Sequence, residues 1–201
     1  MLVCLSFIQG MFAGLSTSNL SRFIAGVTFL LLCSGSHADP ADQKINQVKL
    51  AFVYNIAKFV TWPQIAANHK SELLLCLYQK SEYGSALNLL SGRKVKKSVI
   101  TTKVISDLTE ATECDLVLIH SSVIDAYTSE YNNAPTSLGM LTIADLVEVG
   151  SSGQSYPGIL INLVRNKSKI GLEVDLTQVA ERQIKVNSQL LKLATILDGG
   201  N

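Results

Sequence analysis

The sequence has few of the residues on which metal and redox sites depend. Its 201 residues include four cysteines and three histidines, and no two cysteines have the C-x-x-C spacing of a zinc ribbon or a thioredoxin-type active site. Glycine-rich phosphate loops of the forms G-x-G-x-x-G and G-x-x-x-x-G-K-[ST] are also absent. The segment 150–158 is rich in glycine but lacks the G-x-S-x-G order of a serine nucleophile elbow. We therefore expect no metal, no cofactor and no enzymatic activity.

Charge of one sign is not in excess either. Lys and Arg total 17 against 16 Asp and Glu, which gives a formal net charge of +1. Domains that bind duplex nucleic acid are usually strongly basic, so nucleic acid is not an expected partner. Hydrophobic residues make up 47% of the chain, which is enough to form a core and argues against intrinsic disorder.

The N-terminal segment has the features of a targeting signal. No acidic residue occurs before Asp39, and Arg22 precedes an apolar run over 23–32 that is followed by small residues ending at Ala38. This pattern predicts a secretory signal peptide, residues 1–38, cleaved after Ala38. The apolar run is shorter than the roughly 20 residues of a membrane span, so a transmembrane helix is the weaker interpretation.

Export leaves one mature domain, residues 39–201, which we expect in the periplasm. Translation can start at Met1 or at Met11 without changing that domain. Cys33 raises the alternative of a lipoprotein, but it follows a leucine where lipoprotein signals usually have a small residue. Cleavage leaves Cys76 and Cys114 as the two cysteines of the mature chain, and in an oxidising compartment a single disulfide is the simplest expectation. A structural disulfide and a redox switch both stay open.

The order of apolar segments predicts the fold class. Residues 42–62 have apolar side chains at three- and four-residue steps, which predicts a long amphipathic helix that Pro63 stops. One apolar face of this helix comprises Ile45, Val48, Phe52, Ile56 and Phe59, and a second flank comprises Leu50, Ala51, Val53, Ala57 and Val60. Strand-like runs then alternate with short helical segments: strands over 73–79, 95–105, 115–121 and 140–145, and helices within 81–92, 106–112 and 123–132.

The C-terminal part of the chain, from residue 159 on, has a different pattern. Residues 159–175 predict a β-hairpin whose turn is 166–168. A helix follows with Asp175 as its N-cap, and 187–197 predicts a second helix capped by Asn187 or Ser188. Together these patterns predict a single α/β domain with a mixed sheet flanked by helices, ending in a hairpin and helices.

Candidate catalytic groups are scarce. His120 ends a predicted strand, where α/β folds place ligands, with Asp115 and Asp145 as possible neighbours. His69 lies in a polar loop. Glu173 and Asp175 lie two apart on one strand face and form a possible carboxylate pair, although Glu173 is better suited to anchoring Arg165 or a neighbouring backbone and Asp175 to capping a helix.

The ordered segments together resemble the YfiR family of small periplasmic proteins. The likeness covers nearly the whole mature chain, from AFVYNIAKFVTWP through CDLVLIH, LTIAD and GILINLV to GLEVDLTQVAERQIKVNSQLLKLA. Its most specific run contributes Tyr54, Asn55, Lys58, Phe59, Trp62 and Pro63. Cys76 and Cys114 match one disulfide of the family. Better-known members carry a second cysteine pair near the glycine-rich segment, and 150–158 has none. At Asp175 the family often has asparagine.

The resemblance implies a regulator. Members of this kind bind the periplasmic sensory domain of an inner-membrane diguanylate cyclase, hold it inactive, and so lower cyclic di-GMP and restrain biofilm formation. We expect part of the contact with such a partner on a C-terminal surface formed by Ile170, Leu172, Glu173, Gln189, Leu190 and Leu191. A periplasmic small-ligand receptor or an enzyme using the sheet edge near His120, and a purely structural homodimer, are the alternatives.

Overall fold

The computed structural model describes residues 40–62, 70–79, 83–132 and 139–197, all of which belong to one compact unit, Asp39–Asn201. The expected signal peptide, Pro63 and His69 lie outside the described residues. The helices are α1 (Pro40–Phe59), α2 (Ile124–Tyr131), α3 (Leu176–Glu181) and α4 (Ser188–Leu191), with short 3₁₀ helices at Gly84–Leu89, Leu108–Glu113 and Ser121–Val123. In the described part of the chain, no helix is long and apolar enough to cross a membrane.

The described residues include ten strands, which form two sheets. They are β1 (Val60–Thr61), β2 (Glu72–Tyr78), β3 (Lys94–Val95), β4 (Ser98–Ile105), β5 (Leu116–His120), β6 (Leu141–Leu146), β7 (Ile161–Asn166), β8 (Lys169–Asp175), β9 (Lys185–Val186) and β10 (Ala194–Leu197). The main sheet has eight strands in the order β10-β8-β7-β6-β5-β2-β4-β3, and β1 pairs with β9 in a small antiparallel sheet. The predicted mixed α/β domain is confirmed.

The centre of the main sheet is parallel, from β4 through β2, β5 and β6 to β7. The chain passes from β2 to β4 on one side and then returns to β5 on the other side of β2. The sheet order therefore reverses between β2 and β5, which is where open α/β sheets form a crevice at the carboxyl ends of their strands. The predicted hairpin is confirmed, because β7 and β8 are antiparallel around 167–168.

The side chains of the sheet alternate between two apolar layers. The layer that faces α1 contains Leu75 and Leu77 of β2 with Leu118 of β5, whereas the opposite layer contains Cys76 of β2 and Val117 of β5. Strand residues on both faces are buried, which accounts for the continuous apolar runs in the sequence.

The long helix differs from its prediction at its end and in its buried face. It ends at Phe59, because Val60 and Thr61 pair with β9 instead of continuing the helix. The second apolar flank supplies most of the buried side chains, Leu50, Val53 and Ala57, whereas Val48 of the expected main face is exposed. Two apolar flanks made the orientation of this helix ambiguous in the sequence, and packing against the sheet decided it.

Two other elements were predicted wrongly. The run 95–105 is not one strand, because Lys96 adopts a positive φ of 55° and a turn separates β3 from β4. The second C-terminal helix spans only Ser188–Leu191, and Ala194–Leu197 forms β10, parallel to β8. Residues 194–197 (ATIL) fit a strand as well as a helix, and pairing with the exposed edge of β8 satisfies their backbone. Asn187 caps the short helix by accepting the Gln189 N–H, as expected.

Candidate functional site

A buried ionic network lies on the α1 face at the carboxyl end of β6. Lys49 of α1 is fully buried, and its Nζ is 2.9 Å from Oδ2 of Asp145, which is also buried. The same ammonium donates a hydrogen bond to Oε1 of Glu148, which is half exposed. That hydrogen bond lowers the pKa of Glu148, and the partial burial of Glu148 acts in the opposite direction. The network thus joins the first helix to the centre of the sheet by charge.

Tyr83 and His120 complete the network. The Tyr83 hydroxyl donates to Oδ2 of Asp145 at 2.6 Å, and the Tyr83 ring meets the His120 ring edge to face. Burial raises the pKa of Tyr83 well above its ordinary value, and the charge of Asp145 raises it further, so the phenol stays a donor. His120 and Asp145 are register partners on β5 and β6, which confirms the expected proximity of these two residues. Asp115 precedes β5 at its opposite end, so its expected proximity to His120 was wrong.

The orientation of His120 follows from its hydrogen bonds. Nδ1 accepts the Ser122 N–H at 3.2 Å and thereby caps the short helix that follows β5. Nε2 is buried and has no hydrogen-bond partner among the described residues, and Oε2 of Glu148 is 3.9 Å away. Within the described residues, no three His, Cys, Asp or Glu side chains are grouped as metal ligands would be. The network can hold the ends of β5 and β6 against α1, and it contains no nucleophile paired with a base.

The glycine-rich loop is fastened to β8 by two carboxylates. Oε1 of Glu173 accepts from the Ser152 hydroxyl at 2.6 Å and from the Gly153 N–H at 2.9 Å. Glu173 therefore anchors a neighbouring backbone, as expected. Its other expected partner, Arg165, instead donates to the carbonyl of Val147.

Asp175 combines two contacts. It accepts from the Ser155 hydroxyl of the loop, and it caps α3 by accepting the Gln178 N–H, as predicted. Burial acts to raise the pKa of Asp175, but the hydrogen bonds from Ser155 and Gln178 outweigh it and the pKa is lowered. Glu173 and Asp175 thus hold a loop, and neither is arranged as an acid or a base toward the other.

Cys76 and Cys114 form the expected disulfide. Cys76 lies in β2 and Cys114 immediately precedes β5, the neighbouring strand, with their Cα atoms 5.9 Å apart. Both residues are buried in the apolar layer that faces away from α1. A buried disulfide is poorly accessible to thiols, which favours a structural role over a redox switch.

The motif that includes Tyr54 fixes the end of α1 to the sheet. Trp62 is buried and its Nε1 donates to the carbonyl of Asp115 at 3.1 Å. Tyr54 is half-buried, and its hydroxyl donates to the carbonyl of Lys94 on the edge strand β3. Lys58 lies over the Tyr54 ring, with Nζ 4.0 Å from the ring centroid. Asn55 is exposed and Phe59 is half-buried.

The residues expected on the partner surface differ in their solvent exposure. Leu172, Glu173 and Leu190 are buried, so they are not accessible to a partner in this conformation. Gln189 is exposed, and Ile170 and Leu191 are half-buried against the core. Successive side chains of β8 alternate between its two faces, and Leu172 lies on a buried one. Helix α4 has a single turn and buries Leu190, which leaves Gln189 exposed.

These features define a disulfide-linked α/β domain whose buried polar groups serve internal packing. The model of the YfiR/HmsC-like family matches residues 46–195, and the chain belongs to that family. Membership favours a regulatory role. No curated protein matches the chain.

The sequence indicated the disulfide, the Asp175 cap and the His120–Asp145 proximity, but it did not reveal the burial of Lys49 or the role of Tyr83. The sequence does contain one indication that Lys49 is buried, because Lys49 is one of the few polar residues in an apolar stretch of α1.

Proposed function

We propose that the protein is a periplasmic regulator that binds the periplasmic sensory domain of an inner-membrane diguanylate cyclase, holds it inactive, and lowers cyclic di-GMP. The observation that carries the proposal is membership of the YfiR/HmsC-like family over 46–195, a range that includes most of α1 and all but the last residues of the main sheet. The disulfide supports it, because structural disulfides persist in exported proteins. The internal use of His120, Asp145, Glu173 and Asp175 also favours binding over catalysis.

Inhibition requires that the regulator bind the inactive and active states of the cyclase with different affinities. A bound protein shifts a cyclase toward its inactive state only if it binds that state more tightly than the active one. No chemistry by the regulator is required. The contact surface must be exposed and must present groups that a partner can desolvate.

The exposed C-terminal edge is the surface we assign to the cyclase. It comprises exposed Gln189 and half-buried Leu191 of α4, and Leu193, which follows α4 and is 76% exposed. Ile196 on the outermost strand β10 extends the same edge. Exposed apolar side chains such as Leu193 and Ile196, next to an open strand edge, are typical of surfaces that a partner covers.

Capture from membranes tests the proposal. The exported, tagged protein is bound to a resin and exposed to detergent-solubilised inner membranes from its own source, and the captured fraction is assayed for conversion of GTP to cyclic di-GMP. We expect the fraction to contain a cyclase whose activity rises once it is released from the regulator. A captured fraction without cyclase would contradict the proposal.

A pair of variants then tests the surface. Leu193→Asp leaves the fold intact, because the side chain is exposed, and we expect it to weaken capture about 10-fold or more. Leu89→Asp, at another exposed leucine, is the matched control and should capture normally. Equal capture by both variants would exclude the C-terminal edge.

A further inference from the structure

The basic residues of the mature chain are segregated from the acidic ones. Residues 39–201 carry 16 basic and 16 acidic side chains. The segments 43–71 and 84–105 contain nine of those bases and no acid, which leaves seven bases and all 16 acids in the rest of the domain. Tyr54 brings the two segments together through its hydrogen bond to Lys94. Residues 39–201, which together have no net formal charge, thus include one strongly positive region.

Five of these bases form a continuous exposed surface, which we call the basic surface. It comprises Lys58 at the end of α1, Arg93, Lys94 on β3, and Lys96 and Lys97 in the turn between β3 and β4. The ion pairs of the described residues engage other lysines: Lys49 with Asp145 and Glu148, Lys70 with Asp115, and Lys103 with Glu110. None of the five therefore has its charge neutralised within the described part of the chain.

The fold holds part of the basic surface in place. Lys58 and Arg93 both stack on the Tyr54 ring, at 4.0 and 5.4 Å from its centroid. Lys96 donates to the Val60 carbonyl at 2.7 Å, while buried Val95 anchors the strand between its exposed neighbours. These contacts hold the side chains of Lys58, Arg93 and Lys96 in place without neutralising their charges, so little order has to be created there when an anion binds.

Resting on the proposed function, we propose that the basic surface docks on an anionic phospholipid bilayer. Clusters of four to eight Lys and Arg side chains next to a membrane are attracted to anionic lipid, and each cation increases partition by about five-fold. Lys94 and Lys97 are exposed, and within the described residues their side chains make no hydrogen bond, ion pair or ring contact, so they can follow mobile headgroups. A regulator of an inner-membrane enzyme works beside such a surface, and docking would raise its local concentration near the cyclase.

Vesicle flotation tests the proposal with the exported protein and no cyclase present. The vesicles contain phosphatidylethanolamine and phosphatidylglycerol at about 3:1, and phosphatidylcholine vesicles are the neutral comparison. We expect binding to the anionic vesicles only, and a loss of binding as salt is raised. Lys94→Gln with Lys97→Gln should weaken binding about 25-fold, the product of two five-fold effects.

A matched pair of variants controls for net charge. Lys167→Gln with Lys169→Gln removes two exposed lysines of the β7–β8 hairpin and should change vesicle binding less than about two-fold. Absence of binding to anionic vesicles at low salt, or equal losses in both pairs, would overturn the proposal. Normal vesicle binding by Lys94→Gln/Lys97→Gln together with weakened cyclase capture would instead assign the surface to an acidic protein partner. The vesicles carry no protein, so a failure to bind them would not affect the assignment of the cyclase as partner. Likewise, a failure to capture a cyclase would not affect the proposal that the basic surface binds lipid.

Discussion

Lys49 should be the polar residue whose loss destabilises the domain most. Its ammonium is the cation that contacts buried Asp145, and Lys49→Met removes that charge while keeping an apolar chain of similar length. Of the donors that the described residues give to Asp145, the Tyr83 hydroxyl and the Val147 N–H would then remain. Breaking a buried ion pair from one side costs about 3–5 kcal/mol, so we expect the free energy of unfolding to fall by that amount.

Urea denaturation measures this loss. Trp62 is the one tryptophan of the chain and is buried at the end of α1, so its fluorescence reports the unfolding of the domain. Lys44→Met, at an exposed lysine of the same helix, is the matched control and should change stability by less than about 0.5 kcal/mol. Adding Asp145→Asn to Lys49→Met should recover part of the loss, because no buried charge is then left unpaired. A loss below about 1 kcal/mol for Lys49→Met would refute the role given to the network.

Three further results are expected. The exported protein should show no free thiol under denaturing conditions without reductant, and replacing both Cys76 and Cys114 by alanine should lower the free energy of unfolding by about 4 kcal/mol, since the disulfide closes a 38-residue separation. The pKa of Asp175 is lowered in the fold, so its contribution to stability is present above its ordinary pKa and is lost as pH falls through the lowered value. In Asp175→Asn, the free energy of unfolding should therefore fall less steeply as the pH is lowered. Gly158→Ala should cost about 3 kcal/mol in urea denaturation, because Gly158 has a φ of +74° and a Cβ there would overlap the Tyr131 ring.

The elements predicted well from the sequence are those with one dominant local signal. Alternating apolar residues around a polar turn specified the β7–β8 hairpin, and Asp175 before a helical run specified the start of α3. The cysteine pair was predicted because export leaves no other partner and because the two strands were expected to be neighbours. Each of these signals is contained within a short segment or follows from chemistry alone.

The errors arose where long-range packing decides between local alternatives. Residues 194–197 have apolar and β-branched side chains that suit either a helix or a strand, and only the free edge of β8 selects the strand. The buried face of α1 depends on which of two apolar flanks meets the sheet. Burial of Lys49 depends on Asp145, almost a hundred positions away, and no local pattern records that pairing.

The central claim is that this protein lowers cyclic di-GMP from outside the cytoplasm. The most direct test measures cellular cyclic di-GMP in four strains: wild type, a deletion, the deletion complemented with the whole gene, and the deletion complemented with a gene that lacks residues 1–38. We expect the deletion to raise cyclic di-GMP, the whole gene to restore the low level, and the leaderless gene to leave it high. An unchanged level in the deletion under conditions of expression, or full complementation by the leaderless form, would contradict the account.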